Sequence, residues 1–311
     1  MTVSFSLKFP IEPFKIITEK SEILMFGSCF TEHIGNKLLS TGFKTTINPF
    51  GILFNPISLA NAIKRISQKE IYNNAELLKN HEDRFVSFDH HGRFSGNDAD
   101  KVIEEINDSL IEANKSLKSS NCIFITLGSA WVYRHIIQNR VVANCHKIPN
   151  SEFKKKLLDI DTIVNSLTNV INEIREINAD IKIIFTISPV KHLRDGVVEN
   201  QQSKATLILA MADILKNKKR EVYYFPAYEI VTDELRDYRF FETDHAHPNQ
   251  MAIDYVWERF VETCFTPKAI EKSAEAENLI KALNHKPLYN DGTNENLKYR
   301  IKSYLDKYPI E

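Results

Sequence analysis

Three short, almost continuous apolar runs constrain the fold of this chain more than any other feature of its sequence. They span Glu22–Phe26, Cys122–Leu127 and residues 181–187. Runs of this length without polar alternation are typical of strands that are buried on both faces of a parallel sheet. Glycine or a Ser-Pro pair follows each run, which indicates a turn at the end of each strand. The sequence therefore predicts a sheet with other elements packed on both sides.

Amphipathic segments lie between these runs. In residues 157–177, isoleucine, leucine and valine recur at helical spacing. Other predicted helices begin at Thr31, Pro56 and Pro248 or cover residues 102–117 and 205–215, and shorter strands are predicted at 44–47 and 222–225. This alternation predicts a three-layer α/β/α sandwich of the flavodoxin type, with a mostly parallel sheet of about five strands.

The composition changes near residue 268. From there the chain is rich in lysine, asparagine and glutamate, with helical patterns near 270–283 and 299–307. The sequence therefore predicts a main domain over residues 1–267. It also predicts a C-terminal helical extension over residues 268–311, which either packs on the main body or serves association.

Charge and composition exclude several classes of protein. The 311 residues carry 40 basic and 41 acidic side chains, for a formal net charge of -1. Nucleic-acid binders usually have a basic excess, so no nucleic-acid partner is expected. No apolar run reaches the roughly 18 residues of a membrane span. The N-terminus does not resemble a secretory signal and the four cysteines lack paired spacing, so we expect a cytoplasmic protein of unspecified oligomeric state.

Small and polar residues follow the predicted strands. Gly27 and Ser28 follow the first, Gly51 closes the turn after the second, and Gly128 and Ser188 follow the next two. Ligand sites of open α/β sheets lie beyond the carboxyl ends of the strands. We therefore expect these residues to meet at one edge of the sheet.

Asp244 and His247 are three residues apart, just before a predicted helix. In a turn, this spacing lets the carboxylate orient the imidazole. A serine hydroxyl needs such a base to become a nucleophile. Ser28, at a helix N-terminus, also presents its backbone N–H where an oxyanion would develop.

Two other chemistries use neighbouring residues. Cys29 adjoins Ser28 and is an alternative nucleophile, although its side chain should point into the fold. His245 and His247 form an H-x-H pair that would ligate a metal if a third ligand lay nearby. The sequence has no second cluster of ligands at a recognisable spacing, so the primary prediction includes neither a metal nor a cofactor.

A series of motifs in order resembles the GSCFA-domain family, which is similar to the SGNH or GDSL-like hydrolases. The resemblance covers roughly residues 20–262 and implies the same three-layer α/β/α fold, with the serine directly after the first strand. The motifs are Gly27-Ser28-Cys29-Phe30, Asn48-Pro49-Phe50-Gly51, Thr126-Leu127-Gly128, Asn144-Cys145-His146-Lys147, Ser188-Pro189-Val190 and Asp244-x-x-His247-Pro248.

The resemblance assigns roles by position. It implies that Ser28 is the nucleophile and that Asp244 and His247 form the final D-x-x-H block. Ser28 and Gly51 then contribute to the oxyanion hole. The wider SGNH pattern has an asparagine two residues after its third-block glycine, where this chain has Ala130, so we expect Asn144 to supply the missing donor from another segment.

This pattern implies a serine-dependent esterase or deacetylase that acts on a small-molecule or acylated-carbohydrate ester. Without the asparagine at Ala130, the alternative is a non-catalytic binding or scaffold protein of SGNH-like shape. A metal-dependent hydrolase that uses His245 and His247 is a further alternative. Gly128, His91, Trp131 and His146 are candidates for the substrate pocket. Ordinary loop packing is the favoured explanation for His91, and Trp131 carries a similar ambiguity. A solvated hairpin end explains His146 nearly as well.

Overall fold

The computed structural model describes residues 7–216, 221–284 and 293–309. Its strands are β1 (Glu22–Phe26), β2 (Lys44–Ile47), β3 (Leu78–Lys79), β4 (Phe85–Val86), β5 (Cys122–Leu127), β6 (Trp131–His135), β7 (Arg140–Val142), β8 (Phe153–Leu157), β9 (Lys182–Ile187) and β10 (Val222–Tyr224). Its helices are α1 (Cys29–Ser40), α2 (Pro56–Gln68), α3 (Ala99–Ser119), α4 (Ile160–Ile177), α5 (Val197–Lys216), α6 (Ala227–Glu229), α7 (Gln250–Cys264), α8 (Pro267–Asn284) and α9 (Thr293–Lys307).

Five of the strands form one parallel sheet in the order β10-β9-β5-β1-β2. The order reverses direction at β1 and β5, so the carboxyl ends of these two strands border the crevice in which ligands of doubly wound folds bind. Helices cover both faces of the sheet. The predicted three-layer α/β/α fold is confirmed.

The alternation of side chains along the buried strands explains both helical layers. Leu24 and Ile123 belong to one apolar cluster with helices α2 to α5, whereas Met25 and Phe124 belong to the other with α1 and α7. Successive side chains of a strand point to opposite faces. A strand that is apolar throughout therefore requires cover on both faces.

A small antiparallel sheet lies between β5 and α4. Strands β6 and β7 form a hairpin, and β8 pairs with the other edge of β6. The prediction that a helix begins at residue 157 was wrong, because Phe153–Leu157 is this third strand. Helix α4 instead begins after Asp159, whose carboxylate accepts a hydrogen bond from Thr162 N at 2.8 Å.

The C-terminal helices pack on the side of the sheet that carries α1. Ala269 is fully buried in the same apolar cluster as α1 and α7. Lys272 Nζ donates to the Glu19 carbonyl at 2.7 Å, and Tyr304 in α9 donates to the Thr41 carbonyl at 3.4 Å. A boundary at residue 267 stays a prediction. Within the described ranges, no helix combines the length and the apolar character that a bilayer crossing requires.

Candidate active site

The turn after β1 places Ser28 at the carboxyl edge of the sheet. Gly27 has φ +143° and lies against β5, so closely that a Cβ would be 2.6 Å from Thr126 Cβ and would also meet the Thr126 carbonyl. The side chain of Asn48, fully buried after β2, accepts a hydrogen bond from Gly27 N at 2.8 Å. Neighbouring strands thus fix the backbone of this turn.

Replacing Gly27 with alanine should lower the free energy of unfolding by about 3 kcal/mol, because the new Cβ collides with backbone at a φ that L residues rarely adopt. The matched control is Gly92→Ala, where the nearest atom would lie 3.9 Å from the Cβ. We expect the control to change stability by less than about 0.5 kcal/mol. Urea unfolding of both variants measures the difference, and equal losses would contradict the argument.

Ser28 is the N-cap of α1 and is fully buried. Its hydroxyl oxygen accepts a hydrogen bond from Phe30 N at 3.3 Å, and its proton is donated to Ser188 Oγ at 3.0 Å. Ser188 follows β9 and is also fully buried. Among the described residues, Ser28 therefore makes its side-chain hydrogen bond to Ser188 and none to His247.

The predicted pairing of Asp244 with His247 is present in the structure. His247 Nδ1 donates to Asp244 Oδ2 at 2.6 Å, while Asp244 Oδ1 accepts from Ala246 N at 2.9 Å and from His247 N at 3.0 Å. These hydrogen bonds hold the pKa of the Asp244 carboxyl well below its usual range. The carboxylate therefore fixes the tautomer in which Nε2 of a neutral His247 is free to accept a proton.

A backbone hydrogen bond links this turn to the loop that carries Ser188. Lys191 N donates to the Ala246 carbonyl at 3.0 Å. Burial lowers the pKa of His192 to about 4, and the charge of Lys204 acts in the same direction. The D-x-x-H turn therefore lies beside the loop after β9, whose Ser188 contacts Ser28 in the turn after β1.

The predicted oxyanion donors differ in their surroundings. Gly51 N–H donates to the Asn48 carbonyl at 2.7 Å within the turn after β2. Asn144 Oδ1 accepts from His146 N at 2.9 Å, and its Nδ2 faces Gly92. The roles of Gly51 and Asn144 in an oxyanion hole stay predictions.

The comparisons with known proteins identify the family. The sequence model of the GSCFA family matches residues 22–260. The chain belongs to the GSCFA family. No curated protein matches it.

Solved structures that resemble this GSCFA chain include carbohydrate esterases. A family 3 carbohydrate esterase from Talaromyces cellulolyticus shares 9% identity over 82% of this chain and 99% of its own, with a TM-score of 0.39. A family 3 carbohydrate esterase from Clostridium thermocellum shares 12% identity over 86% of this chain and 100% of its own, with a TM-score of 0.36. A family two carbohydrate esterase from Clostridium thermocellum, in complex with cellohexaose, shares 12% identity over 88% of this chain and 67% of its own, with a TM-score of 0.37.

Ala130 departs from the SGNH pattern in this GSCFA chain. It is fully buried within the apolar cluster that packs against α2 to α5. Its backbone N–H donates to Ser203 Oγ at 2.7 Å. The third block therefore supplies no side-chain amide at this position.

The four pocket candidates make mainly structural contacts. His91 packs against Gly51, where it fills the space of a Cβ, and Gly128 N donates to the Phe54 carbonyl at 2.8 Å. Trp131 Nε1 donates to the Glu199 carbonyl at 3.1 Å, and the Lys155 ammonium lies 4.4 Å from its ring centroid. His146 is buried, with Nε2 2.7 Å from the Ser87 carbonyl. Their contact with substrate stays a prediction.

Lys204 was missed in the sequence. It is 1% exposed, and its Nζ donates to the carbonyls of Gly128 at 2.8 Å and Ser188 at 2.7 Å. The predicted helix began after it, at residue 205, whereas α5 begins at Val197. A detectable signal existed, because Lys204 lies three residues before Leu207 and seven before Met211 on the buried face of α5.

The alternative nucleophile and ligands occupy less favourable surroundings. Burial raises the pKa of the Cys29 thiol, which disfavours its reactive thiolate. The His245 ring packs edge-on against Tyr238 at 5.3 Å. Across the described residues, no three His, Cys, Asp or Glu side chains are grouped so that they could hold a metal ion.

Proposed function

We propose that this GSCFA protein is a serine-dependent ester hydrolase, an esterase or deacetylase, with Ser28 as nucleophile and His247 as base. The observation that carries the proposal is the Asp244–His247 pair, joined at 2.6 Å and tied through Ala246 to the loop of Ser188, which contacts Ser28. The resemblance to SGNH hydrolases implies that the substrate is an ester of a small molecule or an acylated carbohydrate.

The reaction begins when the Ser28 hydroxyl turns from Ser188 to His247. In enzymes without bound substrate, catalytic hydrogen bonds are often long or poorly aligned and tighten only when substrate binds. As Ser28 Oγ attacks the carbonyl carbon, its proton moves to His247 Nε2, and the Asp244 carboxylate stabilises the imidazolium. His247 then donates this proton to the leaving alkoxide, which produces an acyl-enzyme on Ser28. Water, activated by His247 in the same way, releases the acid.

Charge develops on the carbonyl oxygen during both halves of the reaction. The Ser28 N–H, at the start of α1, is the first proposed donor to this oxygen. The Gly51 N–H, which donates to the Asn48 carbonyl, contributes when it donates to the oxyanion instead of, or in addition to, that carbonyl. The Asn144 amide is a third proposed donor.

A non-catalytic binding role is the second candidate, and Ala130 is the observation that favours it. An oxyanion hole that lacks one donor loses about 2.7–4 kcal/mol of transition-state stabilisation. A protein of this shape without sufficient donors would bind an ester without turning it over.

A fluorophosphonate probe separates the two candidates. With an active hydrolase, we expect one phosphonyl adduct, which peptide mass spectrometry assigns to Ser28, and turnover of p-nitrophenyl esters. A series from acetyl to longer acyl chains identifies the preferred acyl group. Absence of both labelling and turnover in the folded protein would contradict the hydrolase and favour the binding role.

A further inference from the structure

Ser188 carries a hydroxyl proton that has no acceptor among the described residues. Its Oγ accepts hydrogen bonds from the Ser28 hydroxyl at 3.0 Å and from Val190 N at 3.3 Å. Both bonds use the oxygen as acceptor, so the Ser188 proton remains available for donation. A buried hydroxyl proton without an acceptor lowers the stability of the folded protein. An oxygen of a bound substrate would supply the missing acceptor.

The backbone of Ser188 is held from two sides. Its N–H donates to the Leu127 carbonyl at 2.8 Å, and its carbonyl accepts from Lys204 Nζ at 2.7 Å. The second bond of Lys204, to the Gly128 carbonyl at 2.8 Å, joins the ends of β5 and β9. Ser188 is therefore fixed beside Ser28 rather than carried on a loose loop.

Lys204 is unusual because its side chain is buried and its Nζ donates hydrogen bonds to two carbonyls. Within the described residues, no carboxylate forms an ion pair with it. Burial lowers the pKa of its ammonium to about 7. A buried positive charge without a counter-ion is expensive, and a negative charge that appears nearby during a reaction would stabilise it.

We propose that Ser188 is a further catalytic residue, whose hydroxyl donates to the oxyanion in place of the asparagine missing at Ala130. In the same proposal Lys204 is a positioning residue, which holds Ser188 through its carbonyl. The inference rests on the ester hydrolysis proposed above and adds to it the identity of a donor.

The step balances without a further reactant. Ser28 Oγ forms the bond to the carbonyl carbon, its proton goes to His247 Nε2, and the carbonyl π electrons become the oxyanion lone pair. Ser188 keeps its proton and donates a hydrogen bond to that oxygen. Because Ser188 Oγ lies 3.0 Å from the attacking atom, an oxygen bonded to the same carbon falls within its reach.

Ser188→Ala tests the donor. We expect kcat for a p-nitrophenyl ester to fall about 100-fold with KM within about twofold, because the bond exists only in the transition state. Inhibition by phenylboronic acid, which forms a tetrahedral adduct on serine, should weaken by a similar factor. Ser188→Thr, which restores the hydroxyl, should recover most of both. The matched control is Ser21→Ala, a buried serine at the opposite end of β1, which should leave both unchanged.

Two outcomes overturn the donor role while leaving the hydrolase intact. The first is an unchanged kcat in Ser188→Ala, whether or not Asn144→Ala lowers it. The second is a fall in kcat in Ser188→Ala without weaker boronate binding. If the wild type neither turns over esters nor labels at Ser28, the proposed function itself fails. These results are distinguishable because the wild type is measured first.

Lys204→Met tests the positioning role. Methionine fills the buried volume but leaves the Ser188 and Gly128 carbonyls without their shared donor. We expect kcat and boronate affinity to fall together by about 10-fold or more with little change in KM, in a variant whose melting is still cooperative. A change in melting temperature alone, with unchanged kcat, would show a purely structural lysine and overturn this part.

Discussion

Replacement of Ser28 with alanine should lower kcat/KM for ester hydrolysis by about 10⁴-fold or more and abolish fluorophosphonate labelling. The loss is large because the hydroxyl forms the covalent bond to the acyl group, and water in its place lacks both alignment and activation. The fold should survive, because the N-cap bond lost, from Phe30 N at 3.3 Å, is a long one. Steady-state kinetics and intact-mass spectrometry measure both effects.

Cys29→Ala is the matched control for Ser28→Ala. The thiol lies next to the proposed nucleophile, but burial raises its pKa and keeps it protonated. We therefore expect this variant to retain labelling and turnover within about threefold. If Cys29→Ala were inactive and Ser28→Ala active, the nucleophile would be the cysteine.

His247→Ala should be the second most damaging change, with kcat/KM reduced by about 10⁴-fold. The Asp244 carboxylate, held by the backbone N–H groups of Ala246 and His247, orients this base and does not itself take the proton. Asp244→Ala should therefore cost less than His247→Ala. The matched control is His33→Ala, which removes an imidazole of α1 that makes no hydrogen bond to Ser28 or Asp244 among the described residues and should retain activity.

The pH dependence gives an independent test of the same base. His247 must be neutral to accept the Ser28 proton, so kcat/KM should rise with pH as the imidazole loses its proton. Asp244 stays ionised throughout, because its hydrogen bonds hold the pKa of the carboxyl well below its usual range. Asp244→Asn removes the carboxylate that fixes the His247 tautomer, so kcat/KM should fall at every pH measured. An unchanged kcat/KM in Asp244→Asn would contradict the pairing.

His245→Ala separates the triad from the metal-dependent alternative. The His245 ring packs on Tyr238, so its loss should change kcat/KM by no more than a few fold if serine chemistry operates. Comparable damage from His245→Ala and His247→Ala in a folded protein, together with inhibition by a chelator, would favour the metal. The serine assignment would then be wrong.

Features of this protein that depend on local spacing could be predicted from the residues alone. Continuous apolar strands require cover on both faces, which fixed the α/β/α layers. The Asp244–His247 bond was predictable because residues three apart in a turn meet through bonds within the turn itself. The GSCFA assignment followed in the same way, from short motifs in order along the chain.

How these local parts are joined became apparent only in the folded chain. Ser28 and Ser188, which share a hydrogen bond, are 160 positions apart in sequence, and Lys204 and Gly128 are 76 apart. The spacing of apolar residues along the chain does not predict such contacts, since they depend on which strands become neighbours in the sheet and how closely they approach. The same reason explains Gly27, whose need for glycine comes from Thr126 on the adjacent strand. Local hydrogen bonding is encoded in residue spacing, whereas the packing of distant segments is fixed only when the sheet assembles.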